Sequence, residues 1–437
     1  MNETVKRLNI FFSKRKIYNI ILSISGGVDS VTLLSILLDV KSINKDLKIH
    51  LYHINYNAHN KSNEAEILCN FYSDKYNLPI YIDSVNIGNK NFESRARNLR
   101  YNNLKKIITE YNIDLILTGH TYDDQIETLI MKDLENADWV SMLGIRTFNK
   151  DIYRPLLNIS KINIYDYAKN TNLSWIEDPS NQCDSFKRNK IRNQLKNNHF
   201  SIEYIDSLIK IQIESCHSIE KFRSEYKSTF VKHISKNINN SLLIDSKLVE
   251  FINDYITMKL CISKFIKIIN EEIVVINTKS HWKNLYKFML TSKQGSLFII
   301  FNNIFIQKDR NNFILYVNKS VNKDLRIRLK KESVNWYGTS FDFYKKETFK
   351  SGYNARIPLK LFDDGLFLTH WKYGDKLLDN GMNKKISDIF INNKISNYDK
   401  KFYPIIRDNS NNILWIPNIL DNFEFSNNNI LYAEWNI

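Results

Sequence analysis

Six residues, Ser25-Gly26-Gly27-Val28-Asp29-Ser30, lie between two apolar stretches at 18–24 and 31–40. That order reads as a strand, a glycine turn and the start of a helix. Two consecutive glycines let the backbone bend without a Cβ, so several N–H groups can converge on one anion, and a helix start adds its positive end to the same point. Ser25 and Ser30 can add hydroxyl donors. Asp29 is useful beside phosphate only if it orients a donor or meets a magnesium ion. The pattern suits a nucleotide pyrophosphate, although it is neither a Walker loop, which would continue Gly-Lys-Ser/Thr, nor a dinucleotide turn. The plain alternative is an ordinary turn between strand and helix.

A second group is TGHTYDDQIET at 118–128. Asp123 and Asp124 lie four and three residues before Glu127 at a predicted helix start, which places three carboxylates on adjoining faces. Capping is one explanation, because acidic residues favour a first turn. The other is that the cluster holds a cation, either Mg²⁺ on nucleotide phosphates or a substrate amine. His120, at the strand end, could donate to a phosphate or a base. In ESRARNLRY (93–101), Glu93, Arg97 and Arg100 share one helix face, as a surface ion-pair ladder or as an arginine fork for phosphate or a base edge. RPLL (154–157) and EDPSN (177–181) follow. Then Lys187, Arg188, Lys190 and Arg192 fall within six positions, as a solvated basic face or as a track for an RNA backbone.

The elements that must position these groups recur about every thirty residues. Strand-like runs at 18–24, 47–55, 79–85 and 113–118 alternate with helical patterns at 31–40, 63–76 and 92–111. This is the rhythm of βαβ units around a parallel sheet, whose ligands sit beyond the carboxyl ends of the strands. The glycine loop, the acidic segment and the segment around His53 all fall there. Beyond 200 the spacing predicts helices over 204–269, with Lys221, Arg223, Lys227, Lys232 and Lys236 on a basic face. Strands follow over 296–317, and then short strands with an amphipathic helix at 384–393.

The length, 437 residues, implies two or three domains. At 43% hydrophobic and 25% charged the composition is that of a globular protein. Basic residues outnumber acidic ones 62 to 47, for a net charge of +15, which favours a polyanionic partner, although AT-rich codon usage could supply lysine as well. The first 16 residues alternate charges without an apolar core, and no later stretch approaches about 18 uninterrupted apolar residues. A cytoplasmic location is therefore expected, with no membrane partner. The four cysteines, Cys69, Cys183, Cys216 and Cys261, lie far apart and form no metal or disulfide pattern.

Taken in order, these segments resemble the tRNA(Ile)-lysidine synthetases of the PP-loop ATP pyrophosphatase superfamily. The resemblance is dense over 17–195 and returns in KYGDKLLDNGMNKKISDIFINNKI (372–395) and ILWIPN (413–418). It implies an N-terminal parallel-sheet PP-loop catalytic domain (1–199), a mainly helical tRNA-binding domain (200–322) and a small α+β C-terminal tRNA-binding domain (323–437). The implied reaction adenylates the wobble cytidine of an isoleucine tRNA with a CAU anticodon, releasing pyrophosphate. The amine of free L-lysine then attacks carbon 2 and expels AMP. On this resemblance Ser25, Gly26, Gly27, Val28, Asp29, Ser30, His53 and His120 bind ATP, and Asp29 and Asp124 hold Mg²⁺. Asp29, Arg97, Asp123, Asp124 and Glu127 are catalytic, and Arg97, Arg100, Arg154, Arg188 and Arg192 meet tRNA; a homodimer is allowed.

The chain departs from the family pattern in three places. It has no arginine after Asn55 in the strand-end motif, only Gly144 in place of a glycine-rich loop at 132–146, and Trp371 or Lys372 where an arginine usually precedes the Gly-Asp pair. Among rival functions, a tRNA thiolase calls for closely placed cysteines. An amidotransferase needs a glutaminase domain, and 24 residues precede the loop. A noncatalytic RNA-binding protein would not need loop, acidic helix and arginine helix together.

Overall fold

The computed structural model describes residues 1–57, 61–86, 92–177, 187–273, 275, 277–344, 355–379, 382–423 and 430–436. The chain packs into two units, Met1–Ile219 and Glu220–Ile437.

In the first unit, α1 (Asn2–Arg15) precedes β1 (Asn19–Ser23), α2 (Val28–Ile43), β2 (Lys48–Asn55), α3 (Lys61–Tyr76), β3 (Ile80–Ser84), α4 (Phe92–Glu110), β4 (Leu115–Thr118) and α5 (Tyr122–Leu134). The hairpin β5 (Phe148–Asn149) and β6 (Ile152–Tyr153) leads to α6 (Lys161–Asn170), α7 (Lys187–Lys196) and α8 (Ile202–Ser228). The sheet order is β3-β2-β1-β4-β6-β5, parallel except at the final hairpin. Strand alternation divides the apolar side chains between two layers. Ile20 and Leu22 join Leu8, Phe12, Leu34, Leu37 and Ile164 on one side, while Ile21 and Ile116 join Tyr52 and Leu104 on the other. A third cluster, Ile126, Leu129, Ile130, Ile191 and Leu208, ties α5 to α7 and α8.

The four strands and three helices expected before residue 120 form within a few residues of their predicted ends, because periods of 2 and 3.6 there agree with burial on both sheet faces.

The second unit departs from the sequence-based expectation at 204–269. Between α8 and α9 (Tyr255–Ile269) run two strands, β7 (Ile234–Asn237) and β8 (Ser241–Asp245). Asn239 and Asn240 both take positive φ in the turn between them, a conformation that asparagine tolerates. With α10 (Lys279–Thr291), β9 (Leu297–Phe301), β10 (Ile304–Asp309) and β11 (Asn312–Val317), they complete a sheet of order β7-β8-β11-β10-β9. The remaining chain forms small antiparallel sheets with a short helix at Ile386–Asn392, around Trp336, Phe341, Phe390 and Trp415. There Asp375, of the Gly-Asp pair, is held by the buried guanidinium of Arg407. Parallel sheet, helices and C-terminal sheets thus occur in the expected order.

Candidate active site

The carboxyl ends of β1 and β4 bring the glycine loop and the acidic helix together. Gly26 takes φ +78, and a Cβ there would come within 3.1 Å of the Ala65 side chain. Gly27 is the N-cap of α2 and provides no side-chain cap, so the first-turn amides face outward with the helix dipole. Ser30 is buried, donates to the Gly27 carbonyl at 2.9 Å and lies 3.2 Å from the exposed Ser25 hydroxyl. Val28 packs into the core below. Gly119, at the end of β4, closes the underside: a Cβ on it would lie 3.0 Å from the Asp29 carbonyl carbon and 3.1 Å from the Ser30 nitrogen. No sequence signal separated this glycine from the motif around it.

Asp29 belongs to the same loop, as the second residue of α2. Its Oδ2 accepts from the ammonium of Lys161, while its Oδ1 is buried without a partner. Burial raises its pKa, and Lys161 opposes that shift. Lys161 stands at the first position of α6, and its backbone N–H donates to Asp123 Oδ2 at 2.6 Å. Asp123 thus ties α5 to the start of α6.

Asp124 and Glu127 face the other way. Asp124 completes a capping box with Thr121, accepting its N–H at 2.8 Å, and its other oxygen takes Arg188 at 2.9 Å. Burial works to raise its pKa, but the Arg188 guanidinium and the capping N–H hold it below the usual carboxylate value. Glu127 is 3% exposed and accepts from Arg188 Nε at 2.6 Å and from Arg192 at 2.7 and 3.1 Å. The two α7 arginines therefore point inward onto α5, whereas Lys187 and Lys190 of the same cluster are exposed. Capping and charge pairing operate on the same helix.

Beside them is a cavity of about 290 Å³, lined by Arg97, His120, Arg146, Arg154 and Arg188, with Gly144 and Ile145 on its wall. Within 132–146, where the family's glycine-rich loop is absent, Ser141–Leu143 make a short 3₁₀ turn that ends at Gly144. Gly144 at φ +62 packs on the buried Gln125, whose side-chain Oε1 accepts the Ile145 N–H at 2.6 Å. Arg154, 3% exposed, donates to the Arg146 carbonyl, and its Nε is buried without a partner; burial lowers its pKa. Burial also pushes the His120 pKa down to about 3, so the ring is neutral and bonded to Thr118 at 2.8 Å. Arg97 is exposed over the Tyr101 ring, and Arg100 reaches the Tyr56 hydroxyl at 3.4 Å. His53 is buried beneath the loop, bonded to the Ile24 carbonyl at 3.0 Å, with Nε2 unpartnered and its pKa lowered by burial. Residues 178–181 of the EDPSN segment (177–181) and the side chain of Glu93 lie outside the described residues.

A PP-loop domain model matches residues 1–199. The tRNA(Ile)-lysidine synthase of Mycoplasma mycoides subsp. mycoides is 29% identical over 369 residues, spanning 77% of this chain and 88% of that protein. Residues 1–199 thus carry a PP-loop domain. The bifunctional TilS/HprT protein of Listeria monocytogenes serovar 1/2a aligns with 96% of the chain and 68% of its own length at 23% identity. The lysidine synthase of Francisella tularensis subsp. tularensis reaches 36% over 184 residues, 40% of the chain and 45% of that protein. A PP-loop domain implies the use of ATP.

Cation chemistry at Asp29 accords with its donor set. Among the described residues no three His, Cys, Asp or Glu side chains gather as a metal cage. Mg²⁺ on a nucleotide needs only one or two protein carboxylates, the phosphates and water. The unpartnered Asp29 Oδ1 meets that need, whereas the Asp124 oxygens are largely occupied.

Proposed function

We propose that this protein attaches free L-lysine to carbon 2 of the wobble cytidine of an isoleucine tRNA with a CAU anticodon. The cytidine is first activated as an adenylate by ATP, and AMP and pyrophosphate are released. The observation that carries this reading is the juxtaposition, at the carboxyl ends of the strands, of the pyrophosphate cradle (25–30) with a cationic cavity large enough to admit a nucleobase. An ATP-cleaving site alone needs the cradle. A site that adenylates a nucleotide within an RNA needs a second, positively charged recess beside it, and Arg97, Arg146, Arg154 and Arg188 supply one.

In this reading the α2 amides and Ser25 and Ser30 hold the departing pyrophosphate. Asp29 holds Mg²⁺, which supplies charge neutralisation on the phosphates. His120, neutral, offers a hydrogen bond to the base or the α-phosphate. Arg97, Arg100 and Arg154 meet the RNA, and Asp124 with Glu127 orients Arg188 and Arg192. The division at 1–199, 200–322 and 323–437, with the latter two parts gripping tRNA, belongs to the same proposal. So does a cytoplasmic setting; among the described residues no helix is long and apolar enough to cross a membrane.

Sulfur transfer to tRNA finds less support. Burial pushes the Cys69 thiol up to about 12, away from the thiolate that such chemistry needs, and its sulfur lies 3.4 Å from His53. The test is pyrophosphate release from ATP with two transcripts of the tRNA that differ only in the wobble base. Release with cytidine and none with uridine supports the reading; equal release with both would overturn it.

A further inference from the structure

The cradle at 25–30 contains no basic residue, whereas loops that bind a triphosphate through glycine amides commonly add a lysine that reaches the outer phosphates. The fold brings one in from elsewhere. Lys161, 132 positions beyond Asp29, stands where the N-termini of α2 and α6 and the first turn of α5 meet. Its main chain is fixed, with the amide bonded to Asp123 Oδ2 at 2.6 Å and Ser160 capping the helix that begins there. Its side chain is not fixed in the same way. The ammonium rests on Asp29 Oδ2, with 34% of the side chain exposed, and lies 5.6 Å from the Tyr165 ring centroid.

We propose that Lys161 is the phosphate-binding cation of the cradle, its ammonium moving from Asp29 to a pyrophosphate oxygen of the bound nucleotide. This rests on the ATP-cleaving function proposed above and names a further residue for it. Three observations carry it. Asp29 is the second residue of α2, so an ammonium seated on it already lies beside the amides and hydroxyls of the loop. The lysine stem has four rotatable carbons beyond an anchored backbone, so it can exchange one oxygen for another nearby without moving α6. The guanidinium groups of Arg188 and Arg192 are committed to Glu127, and that of Arg188 to Asp124 as well, whereas Lys161 contacts a carboxylate whose second oxygen is unpartnered. Once the ammonium turns to phosphate, both oxygens of Asp29 are available to Mg²⁺.

The direct test titrates the full-length protein with inorganic pyrophosphate and with ATP, both in Mg²⁺ and without tRNA, for wild type, Lys161→Met and Lys161→Arg. Loss of one charge-assisted hydrogen bond should weaken both ligands roughly 10- to 100-fold in Lys161→Met. Lys161→Arg should recover most of that loss. In pyrophosphate release at saturating tRNA, Lys161→Met should also raise the KM for ATP, and melting temperatures show whether the variants are folded. Wild-type affinity in Lys161→Met would overturn the proposal. So would equal weakening in both variants with a matching fall in melting temperature, since that marks a strut between α2 and α6. The function proposed above fails separately, if wild type binds ATP and pyrophosphate with the expected dependence on Lys161 yet forms no lysine adduct on tRNA.

Discussion

Glu127 balances two guanidinium groups on one buried carboxylate, so its removal leaves Arg188 and Arg192 facing each other across a neutral amide. Glu127→Gln should destabilise the protein by about 2–4 kcal/mol, read as a lower melting temperature, and lower turnover as Arg188 leaves the cavity wall. An unchanged melting curve would mean that solvent already screens the two arginines. Gly119→Ala offers a cleaner separation of stability from chemistry. Its Cβ would press on backbone atoms of Asp29 and Ser30, which cannot swing away as a side-chain tip can. Pyrophosphate release should fall by orders of magnitude while the sheet remains folded; near-wild-type release would show that the cradle tolerates displacement. The trio Asp123, Asp124 and Glu127 was legible in the sequence as a group, but their separate partners were not. Capping, charge pairing and cation binding use the same residue types at the same spacing, and only the fold shows that Asp123 meets the α6 amide while Glu127 meets α7. Lys161 was illegible for a different reason: nothing local marks a lysine whose partner is 132 residues away.

At the level of elements, α7 earns its place by pairing charge with an apolar seam. Ile191 of α7 and Leu208 of α8 are 5% and 1% exposed against Ile126, Leu129 and Ile130 of α5. Leu208→Ala should therefore cost about 2–4 kcal/mol by creating a cavity under the acidic helix. It should reduce pyrophosphate release more than an exposed substitution on the same helix such as Ile202→Ala, with thermal melts and kinetics measured together. If the two variants behaved alike, α8 would not be supporting the site. The strands and helices up to β4 could be read from sequence because burial and periodicity reinforce each other there. The hairpin of β7 and β8 could not. Its ISKN and SLLID segments are short, and the turn between them depends on asparagine at positive φ, so the apolar positions there read as a continuation of the helical pattern.

Across the whole molecule, buried neutral histidines link stability to pH. His370, 3% exposed and packed 4.7 Å from the Trp336 ring centroid, has its pKa lowered by burial from 6.5 to about 4. A group whose folded pKa is depressed gives stability that is fully present above the unfolded pKa and disappears as pH falls toward the folded one. Stability should thus decline from about pH 6.5 to pH 4, with His370 contributing at most ~3 kcal/mol of that change. His370→Gln should flatten the melting-temperature profile over that window; an unchanged slope would show that the imidazole is solvated when charged. The net charge of +15 marked the molecule for a polyanion from composition alone, but the placement of arginines around one recess needed the fold. The account as a whole depends on that recess receiving a tRNA base and on lysine being joined to it. Purified protein incubated with ATP, Mg²⁺, radiolabelled lysine and unmodified total tRNA tests this most directly. The account predicts label in a single isoleucine tRNA species, dependent on ATP and accompanied by AMP and pyrophosphate in equal amounts. Label spread over many tRNAs, or absent from tRNA while ATP is cleaved, would contradict it.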